Sequence, residues 1–292
     1  MRKDSGKRGE QMRLAVLSDI HANHTALEAV LRVIYAGEYD GLVFLGDYVT
    51  DCPYPHKTVE ILRNIPESYQ TWFVRGNRED YIINYRKEPV GWAYNSKTGA
   101  LLYTYESLTD EDIDWLASHP VCHRIALPCC PEIIACHGSP EKNNYLFHTD
   151  TPEAERIIAQ MDAEVMLCGH SHTPFIFRRG ERMLVNSGAL GMPQNGQTTA
   201  QFAQLTCTDG KWDAEIISVP YDIESTVSEF FDSGLYEKSG TWAKCTIAIL
   251  RHGRNFAIPC LEYVCAQAEK RGLSPDDEQL WKEAESLLPK DK

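Results

Sequence analysis

A helix that crosses a membrane needs about 18 or more consecutive apolar residues, and no stretch of this chain supplies them. A secretory leader is missing too: Met1 to Gln11 is polar and basic, without the apolar segment that export requires, and reads as a flexible tail over residues 1–11, with Met12 as an alternative start. Basic charge is in deficit, with 29 Lys and Arg against 42 Asp and Glu and a net charge of -13. That balance argues against a surface built for a nucleic-acid polymer or an anionic membrane, both of which are held by clustered cations. None of the ten cysteines forms a Cys-x-x-Cys pair, and Cys129 and Cys130 are adjacent, so neither a zinc knuckle nor a redox dithiol is indicated. Several thiols, such as Cys136 and Cys168, fall in expected buried strands, which fits reduced cysteines in a cytoplasmic protein. Repeats and low-complexity segments are absent as well.

What is present is a globular composition, 43% apolar over 292 residues, and a regular alternation of strand and helix patterns. Leu14 to Leu17 is a short apolar run without polar alternation, as in a central strand covered on both faces. A helix follows over Thr25–Tyr35, then strand Leu42–Leu45, helix Pro55–Ile65 and strand Thr71–Val74. Helices are expected at Ser96–Glu106, Thr109–Ser118 and Glu153–Met161, and buried strands at Ile133–Cys136 and Val165–Cys168. The first half therefore reads as α/β with largely parallel pairing. Short strands between Phe175 and Val219 suggest a second, more antiparallel sheet packed face to face with the first, and residues beyond Asp222 read as helices.

The expected strands end in polar residues. After the first come Asp19 and His21, which would share one face if the chain stayed extended; after the next come Asp47, Asn77, His137 and the pair His170 and His172. Each has a plainer reading taken singly, since Asp and Asn beside Gly make turns and an Asp before a helix caps it. Seven N or O donors ending five strands are harder to explain as turns, because strand ends of one sheet lie side by side, where α/β sheets place their ligands.

The order Asp19-Ile20-His21, Gly46-Asp47, Gly76-Asn77-Arg78-Glu79, His137-Gly138, Gly169-His170-Ser171-His172 resembles the calcineurin-like metallophosphoesterase superfamily. Asn186 to Pro193 and Val219 to Asp222 are similar to further blocks of its bacterial phosphodiesterase-like branch. The resemblance implies a four-layer α/β/β/α sandwich of two mixed sheets over residues 12–224, followed by a helical extension over 225–292 to which it assigns no role. It also implies two metal ions: Asp19, His21 and His172 on the first, Asn77, His137 and His170 on the second, Asp47 bridging. Two divalent ions less two carboxylates leave about two positive charges, which suits a phosphate. Ions roughly 3.5 to 4 Å apart suit in-line attack by a bridging hydroxide. The mixed N and O donors fit manganese, iron or zinc better than magnesium or calcium.

One residue departs from the family pattern: Arg78 stands where a histidine stabilises or protonates the leaving oxygen. Arginine does not give up its proton, but it can clamp phosphate oxygens. We therefore expect an active enzyme that favours good leaving groups or takes its proton from elsewhere, with His24 as a candidate donor and Asn23 as a candidate substrate contact. Gly46-Asp47-Tyr48-Val49 is similar to the serine/threonine protein phosphatases, but Thr50-Asp51-Cys52 follows instead of their V-D-R-G stretch, which disfavours a protein substrate. The reading is a phosphoesterase for a small phosphodiester or nucleotide-type ester, with a symmetrical dinucleotide polyphosphate left open. The rival is a metal- or nucleotide-binding regulator weakened in catalysis by Arg78. An oligomer contact through the C-terminal helices stays open.

Overall fold

The structure, a computed structural model, describes residues 11–147 and 151–290. In chain order the strands are β1 (Gln11–Leu17), β2 (Gly41–Phe44), β3 (Gln70–Phe73), β4 (Cys122–Ile125), β5 (Ile133–Cys136), β6 (Val165–Cys168), β7 (Phe175–Arg179), β8 (Arg182–Asn186), β9 (Ala200–Thr208) and β10 (Lys211–Val219). The α-helices are α1 (His24–Ala36), α2 (Pro55–Arg63), α3 (Asn77–Lys87), α4 (Gly99–Ser107), α5 (Asp110–Ser118), α6 (Pro152–Gln160), α7 (Ile223–Asp232), α8 (Leu235–His252), α9 (Ala257–Arg271) and α10 (Glu278–Ala284). Residues 1–10 of the expected tail lie outside the described residues, and Gln11 already belongs to β1.

Two mixed five-stranded sheets result, ordered β10-β9-β1-β2-β3 and β4-β5-β6-β8-β7. In the first, β1, β2 and β3 are parallel and β9 runs antiparallel to β1. In the second, β5, β6 and β8 are parallel, with β4 and β7 antiparallel at the edges. The strands after Phe175 thus do not make a sheet of their own. β9 and β10 return to the first sheet beside β1, while β7 and β8 extend the second. β3 is also an edge strand with half its residues exposed, not a buried one.

The period of two along β1 shows why its apolar run has no polar alternation. Leu14 and Val16 pack between the sheets with Val43, Leu45, Ile133 and Leu167, whereas Ala15 and Leu17 turn outward with Leu42 and Phe44 onto α1, where Leu27, Val30 and Ile34 meet them. On the far side, α6 covers Ile134, Met166 and Leu184. Helix, sheet, sheet and helix therefore make the four layers, with every parallel strand end aimed at one edge. Phe230, Leu235, Ile249 and Trp281 of the C-terminal helices form another cluster, which takes in Ala22, Cys52 and Met192 from the loops at that edge. No helix among the described residues is long and apolar enough to cross a membrane.

His119, at the end of α5, stacks on Phe73 with ring centroids 5.0 Å apart and meets Trp115 edge-on at 4.4 Å. Burial and the charge of Arg75 hold its pKa down at about 4 from 6.5. The unfolded chain then binds this proton first, so the contribution of His119 to stability is complete above about pH 6.5 and falls away toward pH 4. In urea unfolding, the stability difference between the parent and His119→Phe is expected to shift against the parent between pH 7 and pH 5. A difference independent of pH would contradict this.

Candidate metal centre

The turn after β1 brings Asp19 and His21 together, but not through extended alternation. Asp19, His21 and Ala22 have φ of 55°, 50° and 59°, in the left-handed region, so the chain curls at the strand end. The turn after β2 does the same at Asp47, Thr50 and Asp51, and the turn after β6 at His170 and His172. These eight are most of the eleven non-glycine residues with positive φ among the described residues, each costing roughly 1–2 kcal/mol against a right-handed conformation. Main-chain bonds hold the first two turns against each other: Asp19 N donates to Gly46 O (3.1 Å), His21 N to Asp47 O (2.9 Å) and Ala22 N to Tyr48 O (2.8 Å). Glycines let the turns close in, between the two sheets at Gly169 and between neighbouring strands of the first sheet at Gly76. A Cβ on Gly169 would stand 1.9 Å from Ser18 Oγ, and one on Gly76 would stand 2.2 Å from Asp47 Oδ1.

Two clusters stand at this edge, Asp19 with His21 and His172, and Asp47 with His137 and His170, the donor atoms of each lying within 4.8 Å of one another. The clusters adjoin: His137 Nε2 is 3.3 Å from Asp47 Oδ2 and 3.9 Å from Asp19 Oδ1, and His21 Nε2 is 3.8 Å from both Asp19 Oδ1 and Asp47 Oδ2. Three imidazoles have their outer nitrogen tied back. His21 Nδ1 donates to Asp51 Oδ2 (3.0 Å), His137 Nδ1 to Leu45 O (2.7 Å) and His172 Nδ1 to Met192 O (2.7 Å). With those hydrogens placed, every Nε2 faces inward as a lone pair in the neutral ring, the arrangement that outer partners impose on metal-binding histidines.

Without a cation that arrangement is unfavourable. His21 Nε2 and His172 Nε2 lie 3.1 Å apart, so with both rings neutral two lone pairs confront each other, and only a proton or a cation between them relieves this. Nitrogens each about 2.1 Å from a shared ion stand roughly 3 Å apart when about 90° separates them. Asp19 Oδ1, Asn77 Oδ1 and His137 Nε2 are buried with no hydrogen-bond partner, an expensive condition unless something else satisfies them. The electrostatics agree. Burial alone would raise the Asp47 carboxyl, but the His137 and His21 imidazoles together outweigh it and bring the pKa down to about 2. Burial alone would lower His137, yet Asp47 and Asp19 lift it to about 9. His170, buried beside His137, is pushed down to about 4. The residues present fit cations; protons are the poorer substitute.

Arg78 sits at the start of α3, where its N–H donates to Asp47 Oδ1 (2.9 Å), its Nε is 4.0 Å from Asp47 Oδ2 and its Nη2 is 3.5 Å from Asp51 Oδ2. Asp51 is buried and serves four neighbours, accepting also from Thr50 Oγ1 (2.7 Å) and, through Oδ1, from Trp242 Nε1 of α8 (2.7 Å). A cavity of about 570 Å³ opens over this floor; His21, Asp47, Asn77, Arg78, His170 and His172 line its polar end.

Asn23 and His24 do not reach the cavity. Asn23 caps α1, Oδ1 accepting from Ala26 N (3.1 Å), and its Nδ2 donates to Gly191 O (3.0 Å) and Tyr221 Oη (3.2 Å). The His24 ring turns to Glu229, with Nε2 3.0 Å from Oε2. Neither residue is among those that line the cavity: Asn23 is taken up by the cap of α1 and the His24 ring faces Glu229. The sequence reading assigns no role to Asp51, Glu79 or Trp242. Asp51 was visible only as a departure from another family's stretch, and nothing local tied Trp242 to a site almost 200 positions away.

Residues 12–210 match the family model of the calcineurin-like phosphoesterase superfamily domain. An uncharacterized protein of Methanocaldococcus jannaschii is 26% identical over 245 residues, which cover 78% of this chain and 95% of that protein. A metallophosphoesterase from Sphaerobacter thermophilus is similar in structure, with 25% identity, a TM-score of 0.66 and coverage of 84% of this chain and 100% of that one. A hypothetical protein from Pyrococcus horikoshii shares the fold at 23% identity, with a TM-score of 0.70 over 84% of this chain and 99% of its own.

Proposed function

The chain belongs to the calcineurin-like phosphoesterase superfamily and is a metal-dependent hydrolase of phosphoric ester bonds, and on that footing we propose that it cleaves a small phosphodiester or nucleotide-type ester at a centre of two cations. Asp19, His21 and His172 would hold one and Asn77, His137 and His170 the other, with Asp47 shared; manganese, iron or zinc suits these donors. Such cations, when bound, supply Lewis acidity at the phosphoryl oxygens and a nucleophile from water for in-line attack. The observation that carries the reading is the set of buried, inward-facing donor atoms without partners beside a charged Arg78.

The protein's own groups account for the rest. The hydrogens that His21, His137 and His172 give to Asp51, Leu45 O and Met192 O keep their Nε2 atoms available. Burial disfavours the Arg78 guanidinium, but Asp51 and Asp47 outweigh that and raise its pKa, so it stays charged and offers donors to phosphate oxygens, not a proton to the leaving group. Among the described residues that line the cavity, no histidine besides the presumed metal ligands is left to protonate a poor leaving oxygen. We propose a preference for esters whose leaving group departs as a stable anion.

The test is hydrolysis of bis(p-nitrophenyl) phosphate after chelation, with manganese, iron and zinc added back in turn. Chelation is expected to abolish turnover and one of the metals to restore it. Metal retained at near two equivalents without turnover would replace this reading by that of a metal-binding regulator.

A further inference from the structure

The cavity above the metal centre has a second half that the phosphate chemistry does not use. Its lining takes Trp242, Ile249, Asn255 and Ile258 from the C-terminal helices and the loop between α8 and α9, together with Phe175 and Gln194. Three observations distinguish this wall from incidental packing. First, it is fastened to the site. Trp242 is held by its indole N–H on Asp51, the carboxylate that also orients His21, and the α8–α9 loop is joined to the loop after β8 by Gly196 N donating to Gly253 O (2.7 Å). Second, Ile258, at the second position of α9, keeps 46% of its surface exposed at a cavity already lined with apolar side chains. Third, the amide donors at this end are not used up. Asn255 Nδ2 spends one hydrogen on Gln194 Oε1 (2.9 Å), and the Gln194 NH₂ lies 3.2 Å from His172 Nδ1, whose own hydrogen already goes to Met192 O.

An indole with its N–H anchored, an open branched aliphatic and two carboxamides with spare donors suit a flat ring that carries carbonyl groups on its edge. About 570 Å³ exceeds what a phosphate group alone would fill. We propose that the C-terminal helices form a nucleoside subsite: the ester's phosphate lies over the metal centre while its base packs against Trp242 and Ile258, edge toward Asn255 and Gln194. This rests on the phosphoesterase reading for the position of the phosphate, and it names the substrate class of that site.

Equilibrium binding to the manganese-loaded full chain tests it independently of turnover. Thymidine 5′-monophosphate, phenyl phosphate and methyl phosphate share a phosphate end and differ in what the subsite would receive. The nucleotide is expected to bind at least tenfold tighter than methyl phosphate, with phenyl phosphate between them. In Ile258→Glu, which alters a half-exposed position near a helix start, the ratio of nucleotide to methyl phosphate affinity is expected to fall toward one. Equal affinities for the nucleotide and methyl phosphate in the parent, phenyl phosphate as tight as the nucleotide, or an unchanged ratio in the variant would each overturn the subsite. Tight nucleotide binding without hydrolysis of any ester would sink the phosphoesterase reading and leave the subsite standing, so the two fail separately.

Discussion

Asp47→Asn is expected to cut kcat on an activated phosphodiester by at least about 100-fold and to lower the metal retained after dialysis, while the protein stays folded. The fold should survive because Asp47 has φ of 53°, a conformation that Asn adopts as readily as Asp, and because an amide oxygen still accepts the Arg78 N–H. The chemistry should not. Asp47 lies where the clusters adjoin, its Oδ2 3.3 Å from His137 Nε2 and 3.8 Å from His21 Nε2, and among the described residues it and Asp19 are the two carboxylates within 4 Å of the inward-facing Nε2 atoms. If two cations bind as proposed, removing its charge would leave them offset by Asp19 as the one remaining carboxylate of the proposed ligand set. Loss of an outer partner of a metal ligand costs about 10- to 100-fold, and loss of a shared ligand should exceed that. Kinetics with saturating manganese and metal analysis of the dialysed protein are the measurements. A variant that keeps more than a tenth of parental kcat with full metal content would remove Asp47 from the centre.

The route to this centre shows what the sequence carried and what it did not. The five polar strand endings were legible because each is local: an apolar run stops and a donor follows within a few residues. Their convergence is not local. Asp19 and His21 meet through left-handed turns stabilised by bonds to Gly46 O, Asp47 O and Tyr48 O, partners that no pattern in residues 14–24 reveals. Helix α3 was missed because its apolar residues are few and bunched at Tyr81, Ile82 and Ile83 instead of spaced along a stripe; it is anchored by the Glu79 side chain instead. Helix α8 runs across Gly240 at φ 51°, where the backbone is not helical and a sequence pattern breaks. The C-terminal helices were legible as helices and silent as cavity wall, since burial on one face looks the same whether the neighbour is a core or a binding site.

Glu79→Ala is expected to lower the melting temperature by on the order of 10 °C and to release metal, although Glu79 touches no presumed ligand atom. Its carboxylate is fully buried and works as an acceptor for main-chain N–H groups: Oε2 takes those of Asp47 (2.8 Å) and Gly76 (2.9 Å), and Oε1 takes those of Tyr48 (2.8 Å) and, at greater length, Val49 (3.4 Å). One side chain thereby joins the turn after β2, which carries Asp47, to the turn after β3, which carries Asn77 and Arg78. Burial and the charge of Asp47 lift its pKa to about 7, while the backbone donors pull the other way, so the group is retained at an electrostatic cost for what its oxygens hold in place. Alanine would leave three or more buried N–H groups unpaired, each worth about 1–3 kcal/mol, and a net loss of about 3–5 kcal/mol corresponds to roughly 10 °C in a chain of this size. Glu79→Gln keeps one acceptor oxygen but turns an NH₂ toward an N–H, so it should fall between parent and alanine. If instead both variants melt within about 2 °C of the parent and keep their metal, the two turns are held by something other than Glu79, and the positions of Asp47 and Asn77 need a different cause.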